Sequence, residues 1–66
     1  MDDRERFLKS LVGMTKSSAC AFIDGAGLKC RTMHIEGKPC LGAANLDMNR
    51  VNLHIESGLV VKAYFG

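Results

Sequence analysis

Val51, Leu53 and Ile55 alternate with Asn52, His54 and Glu56, the two-residue period of a strand with one dry face and one wet face. Ser57-Gly58 follows as a turn with a residue free to take positive φ, so Leu59 to Phe65 is expected to fold back as the partner strand. With Val61, Ala63 and Phe65 on the dry side, Val60, Lys62 and Tyr64 would lie on the open face beside Asn52 and His54. Leu28 to Ile35 also reads as a strand, with imperfect alternation. Leu28 and Cys30 would face the core, and a bulge or change of face is expected near Thr32. Between these strands, Glu36 to Met48 has no regular period and reads as an exposed loop.

The first half of the chain follows the helical period. Ala19, Phe22, Ile23 and Ala26 recur at i, i+3, i+4 and i+7, behind Thr15 as N-cap and ahead of Gly25 and Gly27 as stops. The pattern predicts one helix that packs on the sheet through this stripe, with Phe22 as its largest buried side chain. Phe7, Leu8, Leu11 and Val12 predict a short helical or turn-like segment docked on the body, after a charged and frayed stretch at residues 1–6. The fold class is α+β, a helix on a small mixed sheet, in one domain spanning 1–66 with 1–10 as an N-terminal extension.

Composition narrows the function. The 66 residues are 47% hydrophobic and 24% charged, with a formal charge of +2 spread along the sequence. That describes a globular chain without a basic block for DNA or RNA. No apolar run approaches a membrane span. Cys20, Cys30 and Cys40 are odd in number and His34 and His54 stand at unrelated spacings, so neither a full disulfide framework nor a zinc motif can be written. Reduced thiols and a cytoplasmic location follow as the expectation. Paired carboxylates, a Ser-His-Asp order and a phosphate-binding Gly motif are all missing from the sequence. A non-enzymatic protein without cofactor or metal is expected.

Leu11-Val12-Gly13, Thr15 at a helix start, Asn49-Arg50-Val51-Asn52-Leu53 after a loop, and Gly66 together resemble the potato inhibitor I family of serine-protease inhibitors. The resemblance runs from about Leu11 to Gly66 and is closest to the family's short bacterial and fungal members. It implies a protease-binding loop between two parallel strands, here Gly42, Ala43, Ala44, Asn45, Leu46 and Asp47. The scissile bond would be Ala44-Asn45, with Arg50 and Asn52 as loop supports. Ala43 replaces the family's usual Thr and Asn45 its usual acid, while Asn52 stands where many members carry a second Arg. Phe65 occupies the place of a disulfide cysteine found in secreted relatives, which agrees with an intracellular setting.

These departures open a second reading from another class. The same fold could serve as a homo-oligomeric, small-molecule-sequestering protein, for example a phage anti-defence sponge for a nucleotide immune signal. Lys29, Arg31, Lys38 and Arg50 would then contact the anionic ligand and Tyr64 would stack on it. The partner is accordingly a serine protease on the first reading and an anionic ligand such as a nucleotide on the second.

Overall fold

A computed structural model describes residues 3–40 and 45–66. Two helices, α1 (Asp3–Leu11) and α2 (Lys16–Gly25), precede four strands, β1 (Lys29–Ile35), β2 (Lys38–Pro39), β3 (Arg50–Glu56) and β4 (Leu59–Phe65). The strands form one sheet in the order β2-β1-β3-β4. β1 and β3 are parallel, and both outer pairs are antiparallel. The class is α+β, as the alternation of periods predicts.

α1 begins at Asp3, where fraying was expected from the charged sequence. Asp3 and Glu5 in its first turn and Lys9 in its last complement the helix dipole. Phe7, Leu8 and Leu11 then pack on the core, so residues 3–10 belong to the body of the domain. α2 is capped by Thr15, whose hydroxyl accepts from Ser18 N at 3.2 Å. At its other end Gly27 N donates to Asp24 O and Leu28 N to Ile23 O. That is the Schellman arrangement, and Gly27 supplies the left-handed residue it requires with φ +77°.

The core is Leu11, Ala19, Ile23, Val51, Leu53, Ile55 and Val60, all at most 4% exposed. Val51, Leu53 and Ile55 face it as the alternation predicts. Two expectations fail here. Phe22 is 47% exposed, because its ring stacks on Phe7 of α1 at 5.3 Å between centroids and does not enter the helix-sheet seam. Phe65 also stacks with Phe7 at 6.5 Å, with the Arg4 guanidinium 4.5 Å over it. Ala26 is likewise exposed, since it is the C-cap and has left the stripe.

Val60 is buried and Val61 exposed, the reverse of the expected parity. The cause is a register shift between β3 and β4: His54 pairs with Lys62 but Ile55 with Val60, leaving Val61 as an extra residue. A second shift lies in β1, where Thr32 pairs with Leu53 and His34 with His54, so Met33 is extra. That is where the broken alternation of β1 placed a bulge.

Both hairpins close on two-residue turns with positive φ at each central position, Glu36-Gly37 (53° and 76°) and Ser57-Gly58 (52° and 77°). These are the turns whose twist matches antiparallel strands. The first makes the β1-β2 hairpin, which replaces the start of the aperiodic stretch expected from Glu36 onward. Ser57 N donates to Glu36 Oε1 at 2.6 Å and joins the two turns. The outer edge of β4 is covered at its start, where Gly13 N donates to Val60 O and Val60 N to Met14 O, both at 2.8 Å.

Burial sets the order of mutational cost. Leu53→Ala removes a fully buried side chain and should cost about 2–5 kcal/mol. Phe22→Ala, half of whose surface already meets water, should cost under about 2 kcal/mol. Urea melts of the two variants check this, and equal losses would place Phe22 in the core after all.

Candidate functional site

The start of β3, the end of β4 and the segment before β3 meet in one polar cluster. Arg50 is the first residue of β3, so its backbone is fixed by the sheet while its side chain reaches past the sheet end. Its Nη2 donates to Asn45 O at 2.6 Å and its Nε to Gly66 O at 3.0 Å. Gly66 N in turn donates to Arg50 O at 3.0 Å. Asn52, two residues along the same face, donates from Nδ2 to Gly66 O at 2.9 Å and accepts at Oδ1 from Arg31 Nε at 2.8 Å.

Asn52 was expected on the wet face and is 1% exposed. The face is the expected one, but Arg31 and Gly66 cover the side chain, and its amide oxygen and nitrogen are both satisfied. Gly66 has φ +146°, and a Cβ there would lie 3.5 Å from Asn52 Nδ2 and from Leu46 Cδ1. A side chain at this position would be strained by the backbone more than by crowding.

Asp47 secures the segment from a second side. Lys29 Nζ donates to its Oδ2 at 3.0 Å and Asn49 N to its Oδ1 at 2.9 Å, while Arg50 N donates to its backbone O at 3.0 Å. The Lys29 bond, then the Asn49 amide, hold the Asp47 carboxyl below its ordinary range. The ammonium is mostly exposed and the pair is screened, so it orients the segment more than it stabilises the fold.

Gly42, Ala43 and Ala44 lie outside the described residues. Asn45 and Leu46 are exposed, with Leu46 at 75%. Of the residues considered for an anionic ligand, Lys29 faces Asp47, Arg31 faces Asn52, and Arg50 faces Gly66 and Asn45. Lys38 pairs with Ile35 at the far end of β1 from Lys29. Tyr64 sits across β3 from Arg31, in the row Arg31-Asn52-Tyr64. The structure therefore gathers Lys29, Arg31 and Arg50 at the base of the segment before β3, and leaves Lys38 apart.

His34 and His54 stand at unrelated spacings in the sequence. They are partners: His34 Nδ1 and His54 Nε2 are 3.0 Å apart and the ring centroids 4.1 Å. Tyr64 meets His54 edge-on at 5.6 Å, with Lys62 Nζ 5.5 Å from the tyrosine ring centre. Desolvation, then the neighbouring His34 and Lys62, lower the His54 pKa, and Glu56 opposes them. On the other side of the sheet, an open groove between α2 and β1 is lined by Cys20, Ala21, Asp24, Leu28, Lys29 and Cys30. Burial pushes the Cys30 thiol up to about 12, with its Cys20 contact adding to the effect. A thiol so placed stays protonated near neutral pH and is no nucleophile.

Set against family models, curated proteins and solved structures, the chain matches none. Kinship to the potato inhibitor I family therefore rests on the sequence features above, and is taken up below as a proposal.

Arg50→Ala should leave the melt cooperative while speeding amide exchange at Asp47 and Asn49, because it releases the Asn45 carbonyl and one of the two donors to Gly66 O. Unchanged exchange there would remove Arg50 from the bracing role. The lowered His54 pKa also has a sign. The unfolded chain binds the proton more readily, so stability should fall as pH drops through histidine's ordinary value of about 6.5. Thermal melts from pH 8 to 5 test it, with His54→Gln expected to flatten the curve and an equally steep curve in that variant excluding His54 as the source.

Proposed function

We propose that the protein is a non-enzymatic binding domain of the serine-protease-inhibitor type, presenting loop 42–48 to its target. The observation that carries this reading is the Arg50 guanidinium, bonded at once to Asn45 O and to Gly66 O. If Ala44-Asn45 is the scissile bond, Arg50 holds the leaving side of that bond to the rigid end of the sheet. Asp47, tied by Lys29 and Asn49, holds it again two residues later.

Such a loop would enter a protease substrate-like, with Ala44 in the primary pocket. Restraint of the downstream side lowers the ordering cost of binding. It also keeps the Asn45 amine beside the acyl-enzyme after attack, so religation competes with release. Ala44 suits a small or permissive pocket of the elastase or subtilisin type.

The same contacts weigh against sequestration of an anionic ligand. Arg31, Arg50 and Lys29 already spend donors on Asn52, on Gly66 and Asn45, and on Asp47, so an anion would have to share them. Among the described residues no helix is long and apolar enough to cross a membrane. A cytoplasmic setting for the domain is supported by Cys20, Cys30 and Cys40, which are free thiols.

The test is a panel of serine proteases assayed with the parent and with Ala44→Leu and Ala44→Tyr. The substitutions should shift inhibition toward chymotrypsin-like enzymes, whose apolar pocket gains about 25 cal/mol per Å² buried. If no enzyme is inhibited and the loop is simply cut, the reading fails. Heat on titration with cyclic dinucleotides, from a species heavier than a monomer, would favour the sequestering alternative.

A further inference from the structure

The open face of the sheet carries a feature that the loop reading does not use. In β1, Cys30 and Thr32 pair with Val51 and Leu53 of the dry face. Strict alternation would send His34 to that same face. The extra residue Met33 resets the parity and puts His34 opposite His54 on the open side. Bulges are uncommon between parallel strands and re-aim side chains where they occur. The bulge at Val61 lies at the same level on the other side of β3 and sets Lys62 against His54.

The result is two half-buried imidazoles whose facing nitrogens are 3.0 Å apart. The ring centroids are only 4.1 Å apart and the planes are tilted by 49°. The centres exceed the nitrogen separation by far less than two ring radii, so the hydrogen bond between the rings is strongly bent. Small ring rotations then turn both lone pairs toward one point. Two nitrogens each about 2.0–2.1 Å from an ion stand about 2.9 Å apart at a right angle and about 3.4 Å apart in a tetrahedron. The observed spacing matches the right-angled case, the arrangement of Cu(II) and Ni(II) with nitrogen ligands.

We propose that His34 Nδ1 and His54 Nε2 form a two-imidazole chelate for a divalent first-row transition metal of the Cu(II) or Ni(II) class. Among the described residues no group of three or more His, Cys, Asp or Glu forms around a common point. Water therefore completes the coordination, and the ion is exchangeable. The exchange of partners balances simply. In the neutral pair one proton lies between the two facing nitrogens. On binding it moves by way of solvent to the far nitrogen of its own ring, which leaves two lone pairs for the metal and no change in charge on the protein. The Lys62 ammonium is the charge that opposes the ion, and it stands toward the Tyr64 ring.

Ni(II) is the probe of choice because it does not oxidise the three thiols. Calorimetric titration of the reduced protein should show one site per chain, weakened at least about tenfold in His34→Gln and in His54→Gln, since each loses one of two ligands. Paramagnetic broadening of the parent's amide signals should be strongest at His34 and His54. This second readout needs no variant and stands if either substitution perturbs the fold. Absence of heat in the parent at millimolar Ni(II) overturns the proposal. So does binding that survives both substitutions, or broadening centred on the cysteines.

Discussion

Everything in this domain is organised by β3. It is paired along nearly its whole length on both sides, parallel to β1 and antiparallel to β4. Its inner side chains, Val51, Leu53 and Ile55, supply three of the seven buried apolar residues among those described. In so small a chain the apolar core is thin, and its centre must be regular for the rest to dock. β3 keeps its alternation throughout, and the irregularities are displaced into its neighbours. Met33 and Val61 are the extra residues, both at the level of His54. The polar face of the same strand then builds the candidate sites, with Arg50 and Asn52 at one end and His54 at its middle.

How far this was legible in the sequence depended on whether the signal was local. The alternation of β3, the Thr15 cap and the Ser57-Gly58 turn depend on residues within a few positions of one another, and each is found where it was read. Phe22 was misplaced because the stripe identifies which residues share a helix face but not what lies across from them. A second helix offering Phe7 diverts the ring outward. Val60 was misplaced because a bulge shifts parity without leaving any mark in composition. The β1-β2 hairpin was missed although Glu36-Gly37 has the same positive-φ pair as Ser57-Gly58. Its second strand is only Lys38–Pro39, too short to show a period.

At the candidate site, Arg50 was marked by its position after the loop, whereas its partner Gly66 is 16 residues away and Arg31 is 21 from Asn52. No spacing rule reaches that far. The burial of Asn52 is a consequence of the same long-range closure, as is the meeting of two histidines that lie 20 residues apart. Basic residues scattered along the chain looked like candidates for an anionic ligand. Folding gives Lys29, Arg31 and Arg50 internal acceptors, a pairing that their scatter along the chain does not show.

The bond from Ser57 N to Glu36 Oε1 joins the tips of two hairpins, each of which closes within a few residues. Each hairpin can form quickly by itself, because its turn brings the strands together at small entropic cost. The parallel contact of β1 with β3 is different, since it pairs residues about twenty positions apart, from Lys29 with Arg50 to Ile35 with Ile55. The chain entropy lost in closing the sheet is therefore concentrated in the pairing of β1 with β3. The link between the turns fixes the alignment at one end of that pairing, where a slip by one residue would carry Val51, Leu53 and Ile55 out of the core.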